Sequence, residues 1–163
     1  PGSITLVTRE STRSLLVEVQ ALVDDTQGSH PKRVAQGLDA QRLSLLLAVL
    51  HRHCGIEIGE RDVFVNVVGG LRVSETAIDL ALILAIFSSF REHHPPPKLV
   101  VFGEIGLTGE VRPVPFGEER LAEAQKHGFR KAVIPQGNLP RKQIPDIDVI
   151  PVSSLKQALE IFH

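Results

Sequence analysis

The chain has 163 residues, 42% of them hydrophobic and 23% charged, a globular composition that excludes disorder or low complexity as its main description. Its formal charge is −1, so a polyanion would have to be held by a local basic patch rather than by bulk charge. One cysteine, Cys54, excludes an internal disulfide framework and fits a reducing compartment.

The length predicts one domain over residues 1–163, large enough to bury a core without staples. The longest apolar run, Ala81 to Phe87, is far short of a membrane span, and no basic segment followed by an apolar stretch opens the chain as a signal peptide would. The chain contains no Met, which predicts an excised or processed piece of a larger protein.

In chain order, residues 3–9 and 14–23 read as two strands joined by a turn at 10–12. Residues 24–31 are turn chemistry throughout, and 32–36 read as a short strand. Asp39 is a good N-cap for a helix in which Leu43, Leu46, Leu47 and Leu50 form one stripe, stopped by Gly55. Residues 62–68 are a strand ending in Gly69-Gly70. Ser74, Glu75 and Thr76 then offer capping groups for a helix over 77–91 that is apolar on nearly every face, as a helix buried inside a domain would be.

The apolar run 98–102 reads as an interior strand, and 103–111 as a hairpin with glycines at 103, 106 and 109. An amphipathic helix over 118–127, a strand at 131–134, a polar loop at 136–146, a strand at 147–151 and a helix capped by Ser153 complete the chain. Hairpins early and βα units later give an α/β or α+β class on pattern alone.

Few motifs carry chemistry. The sequence has no phosphate-binding loop of the G-x-x-x-x-G-K-[ST] kind, and the glycines at 103, 106 and 109 are spaced for a hairpin. His51 and Cys54 are the one pair of the His51-Arg52-His53-Cys54 run that helical spacing brings together, too few for a structural zinc, so no metal is expected here. Ser74 reads as a capping hydroxyl sooner than as a nucleophile, because no base can be assigned to it. Glu75 and Asp79, four apart at the start of the buried helix, suit the helix dipole, with Arg72 or a backbone donor as the expected partner of Asp79.

The basic residues are the remaining candidates. Lys32, Arg33 and Arg42 are the first choice for phosphate contacts, with Arg13 and Arg112 second, acting by charge without base readout. The lack of Trp and Tyr argues against a platform on which single-stranded bases stack.

Two long stretches narrow the reading: DVFVNVVGGLRVSETAIDLALILAIFSSF at 62–90 and LVVFGEIGLTGEVRPVPFGEERLAEAQKHGFRKAVIP at 99–135. With SLLVEVQALVDD at 14–25 and PKRVAQGLDAQRLSLLLAVLHRHCG at 31–55, they resemble, in order and over nearly the whole chain, the carboxyl-terminal Lon-protease-like domain of the bacterial RadA (Sms) family of DNA repair proteins. The resemblance implies an α+β fold of the Lon proteolytic, ribosomal-protein-S5-domain-2 type. Lon proteases use a Ser–Lys dyad. By resemblance the serine position here is Ala77 and the lysine position Glu118, so the fold is expected without the protease chemistry.

The family further implies a parent DNA-dependent ATPase (a hydrolase) that processes recombination intermediates in bacterial cytoplasm. Its ATP, magnesium and zinc would belong to domains outside this chain, with no cofactor in this one. The resemblance also implies a homo-oligomer, a hexameric ring that contacts branched or duplex DNA, with recombinase or helicase partners reached through the parent and no membrane. In such a ring, six copies of a modest basic patch would face one channel. The alternatives are a pure oligomerisation scaffold without DNA contact and a residual peptidase using Ser74.

Overall fold

Strand β1, Ser3–Glu10, turns through Ser11-Thr12 into the long β2, Arg13–Asp25, and the two pair antiparallel along their shared length, from Ser3 opposite Gln20 to Glu10 opposite Arg13. The structure, a computed structural model, describes residues 1–162. Strand β3, Arg33–Gln36, is followed by α1, Ala40–Cys54. The Asp39 side chain accepts the Gln41 N–H at the start of α1, and Gly55 ends it in the left-handed conformation. Strand β4, Arg61–Val67, leads through a 3-10 turn, Thr76–Ile78, into α2, Asp79–Arg91.

Strand β5, Leu99–Val101, precedes a small hairpin of β6, Glu104–Ile105, and β7, Val111–Arg112. Helix α3, Gly117–Lys126, strands β8, Lys131–Pro135, and β9, Asp148–Val152, and the short α4, Leu155–Ala158, follow. The cap of α4 is Ser154, whose side chain accepts the Gln157 N–H, rather than the predicted Ser153. The loop after β8 contains a 3-10 turn, Gln136–Asn138, that its polar composition did not announce.

Seven strands form one mixed sheet in the order β3-β4-β2-β1-β5-β8-β9. The pairs β3–β4, β1–β5, β5–β8 and β8–β9 run parallel, while β1–β2 and β2–β4 run antiparallel. This is an α/β arrangement with a mostly parallel central sheet, compatible with the predicted α+β class.

Alternation along the strands divides the interior. Leu6, Val101 and Val133 point into a large cluster with α1, α2 and α4. Their neighbours Val7, Val100, Ala132 and Ile134 point the other way, into a second cluster with Ala77 and with Leu121 and Ala124 of α3. Helix α2 is buried at every residue from Asp79 to Ser88, as its all-round apolar sequence predicts. Among the described residues no helix is long and apolar enough to cross a membrane.

Candidate functional site

The start of α2 meets the end of β5 backbone to backbone. Gly103 donates its N–H to the Ala77 carbonyl at 3.0 Å and accepts the Leu80 N–H at 3.0 Å. Gly103 has φ +154, and a Cβ there would lie 3.2–3.3 Å from Pro135, Leu80 and Val111 side chains, so the contact favours glycine. Ala77, the position of the dyad serine by resemblance, is 1% exposed within the cluster that holds α3. Glu118, the lysine position by the same resemblance, is exposed in the first turn of α3 beside a cleft of about 390 Å³ lined by Arg141 and Lys142.

Two residues from each of these positions, the chain is cross-linked. Arg120, 1% exposed, donates Nη2 to Glu75 Oε1 at 2.7 Å and Nη1 to Oε2 at 3.1 Å. Arg120 also donates to the Pro115 and Val7 carbonyls at 2.9 and 2.8 Å. Glu75 Oε2 further accepts the Thr8 hydroxyl and the Arg9 N–H. Burial alone would push the Glu75 carboxyl up. The Arg120 fork, the Thr8 hydroxyl and the Arg9 amide outweigh it and hold Glu75 below the ordinary carboxylate value. Glu75 therefore ties β1, the start of α2 and α3 together, and the 3-10 turn that it precedes has no side-chain cap, contrary to the capping role expected of Ser74.

A second pair anchors α2 from the other side. Asp79 is fully buried and accepts two bonds from Arg42 of α1 and the Ile105 N–H at 3.0 Å. Burial pushes the Asp79 carboxyl up, and these bonds pull it only part of the way back; the Asp79 hydrogen bond in turn raises Arg42. The partners of Asp79 are thus Arg42, in place of Arg72, and the Ile105 N–H, a backbone donor as expected. The sequence hid the pairing with Arg42 because the two residues lie 37 apart on helices that only packing brings together.

The basic candidates separate accordingly. The Arg42 guanidinium is committed to Asp79 and the Ile105 carbonyl. Arg33 spends its guanidinium on the carbonyls of Lys32, Ile58, Gly59 and Arg61, which shapes the loop before β4. Lys32, Arg13 and Arg112 are exposed, and none of their side chains is in an ion pair among the described residues. Arg72 joins them. It lines a cleft of about 180 Å³ with Arg9, Glu10 and Ser74, which places it beside the β1–β2 turn that carries Arg13. Sequence pattern does not single out Arg72 for phosphate, because it reads there equally as a partner for Asp79.

Cys54 is half-buried, and burial pushes its thiol up. Among the described residues no group of three or more His, Cys, Asp or Glu side chains could hold a metal ion. His53 meets the Leu107 carbonyl at 2.9 Å, fastening the β6–β7 hairpin to the end of α1.

Residues 17–138 match the family described as subunit ChlI of Mg-chelatase. The chain is 56% identical over 160 residues to a DNA repair protein RadA of Haemophilus influenzae, covering 98% of this chain and 35% of that protein. It is 55% identical over 161 residues to RadA of Escherichia coli, covering 99% and 35%. Against RadA of Bacillus subtilis the identity is 44% over 159 residues, covering 97% and 35%. The chain therefore spans about a third of the length of these relatives.

Proposed function

The chain belongs to the family described as subunit ChlI of Mg-chelatase, and from its 56% identity with a RadA relative we propose that it is the Lon-like domain of a RadA-type DNA repair protein. In this reading it is a non-proteolytic ring scaffold and DNA-contacting platform. The parent, by resemblance, is a cytoplasmic DNA-dependent ATPase acting on recombination intermediates, with ATP, magnesium and zinc bound outside this domain. The fold label that goes with this reading is the Lon proteolytic, ribosomal-protein-S5-domain-2 type.

One observation carries the loss of protease chemistry. The residue at the serine position by resemblance is a buried methyl group, 1% exposed, two residues from a Glu75 carboxylate that is held by Arg120. A methyl cannot attack a carbonyl, and a carboxylate at Glu118 is not the neutral amine that would take the nucleophile's proton. Peptide turnover that Ser74→Ala abolished would instead favour the peptidase reading.

For DNA, the exposed basic side chains that are in no ion pair among the described residues support the reading best: Arg13, Arg72 and Arg112, with Lys32. Arg33 and Arg42 leave the first rank because their guanidinium groups are already hydrogen-bonded inside the fold. A labelled duplex titrated at several salt concentrations, with the oligomeric state recorded in parallel, tests this. Steep weakening with salt, flattened in the triple variant Arg13→Ala, Arg72→Ala, Arg112→Ala, is the expected result. A confirmed ring that binds no DNA would leave the pure scaffold reading.

A further inference from the structure

Of the seven phenylalanines, Phe116 alone is exposed, at 50%, and its backbone is left-handed with φ +64. A bulky residue at positive φ is strained, and such strain persists where the surroundings over-determine it. Here they do. Asn138 clasps the Val114 N–H and carbonyl at 2.8 and 2.9 Å, and the Phe116 carbonyl accepts the Arg120 N–H at 3.0 Å as α3 begins. The segment is pinned on both sides of an aromatic ring that is kept out of the core.

One face of that ring is covered. The Arg9 guanidinium carbon lies 4.2 Å from the ring centroid, and Arg9 is itself steadied by the Ser14 hydroxyl at 3.2 Å. Arg9 lines the same cleft as Arg72, and its neighbour Glu10 pairs with Arg13 across the β1–β2 turn. A half-exposed aromatic ring backed by the Arg9 guanidinium is thus linked through Arg9 to the cleft that Arg72 lines and to the turn beside Arg13, two arginines in no ion pair among the described residues.

We infer that Phe116, backed by Arg9, is a stacking seat for an unpaired nucleobase, which gives this domain a preference for forked or single-stranded DNA over blunt duplex. The inference rests on the DNA reading above. A base has a π face whatever its identity, so stacking is tolerant of sequence, while Arg72 and Arg13 supply the phosphate contacts. The absence of Trp and Tyr does not exclude such a seat, since Phe offers a π face as well. In a closed duplex every base is already stacked on its neighbours, so the ring gains nothing there.

The test compares the 163-residue chain with its Phe116→Gly, Phe116→Trp and Arg72→Ala variants on labelled forked and blunt DNA across a salt series. Glycine relieves the left-handed strain, so Phe116→Gly is expected to melt no lower than the wild type. It should bind the fork about fivefold to a hundredfold more weakly and the blunt duplex less than twofold more weakly, with the same salt slope. Phe116→Trp keeps the fork preference, and Arg72→Ala weakens both DNAs and flattens the slope by about one unit. With 2-aminopurine at the first unpaired base, emission changes on binding to the wild type and not to Phe116→Gly. Fork affinity unchanged in Phe116→Gly overturns the inference and leaves the DNA reading standing. A change of oligomeric mass without a change of DNA affinity overturns it in favour of a contact between copies. A wild type that binds neither DNA overturns both.

Discussion

Glu75 and Asp79 lie four residues apart at the start of the buried helix, and each is held by an arginine from a different helix packed on a different face of the sheet. The two pairs are built in opposite senses. In Arg42–Asp79 the acid is fully buried and the base sits nearer the rim, with side-chain exposures of 0% and 25%. In Arg120–Glu75 the base is buried at 1% and the acid is open to 27%. A buried carboxylate can shed its charge by taking a proton, whereas a buried guanidinium cannot lose one. The first pair is therefore forgiving of a lost partner and the second is not. The carboxyls differ with their burial: it wins at the fully enclosed Asp79 and pushes its carboxyl up, while the donors around the more open Glu75 hold that carboxyl down.

The largest expected effect is accordingly at Glu75. Glu75→Ala leaves the Arg120 charge buried with only two carbonyls for company and should cost about 3–5 kcal/mol in urea unfolding. Equal losses for Glu75→Ala and Arg42→Ala would remove the asymmetry. Arg42→Ala is expected to cost about 2–3 kcal/mol near neutral pH and less as the pH falls, because the buried Asp79 carboxyl can then take a proton. It should leave the salt slope of DNA binding unchanged, because Arg42 is occupied inside the fold. A flattened slope at retained stability would return Arg42 to the phosphate contacts.

The same comparison has a pH form. Glu75 is below its ordinary value in the folded chain, so the unfolded chain binds more protons between the two values. Its contribution is complete above the ordinary carboxylate value and is lost as pH falls through the folded one. Asp79 has the opposite sign, since its folded carboxyl is raised and its contribution fades as pH rises through the folded value. Glu75→Gln should therefore flatten the acid-side loss of stability measured by thermal melts between pH 6 and about 3, and Asp79→Asn should not. The smallest expected effect lies away from both pairs: Asp39→Ala removes the cap of α1 and should cost about 1 kcal/mol.

Much of the fold was legible because its signals are local. The Leu43–Leu50 stripe, Asp39 and Gly55 announced α1 within a residue or so of its observed ends. The all-round apolar run after Ser74 announced a helix enclosed by the domain. Ser153 and Ser154 satisfy the same capping pattern in sequence, and only the backbone chooses Ser154. The β6–β7 hairpin was visible from its glycines, whereas its fastening to α1 through His53 was not.

The site was legible in residue type and not in partnership. Acidic residues at the start of a helix and scattered arginines can be seen in the string of letters. Which arginine faces which carboxylate depends on where α1 and α3 come to rest on the sheet, since Arg42 lies 37 residues from Asp79 and Arg120 lies 45 from Glu75. Composition, period and turn chemistry determined the elements and the apolar centre, because burial of a stripe or a strand face is a property of neighbouring residues. Tertiary structure alone decided which cations are consumed in the interior, which remain free on the surface, and that Phe116 stands out from the fold with Arg9 behind it. Charge pairing and exposure are set by distances between segments far apart in the chain, and no local pattern encodes them.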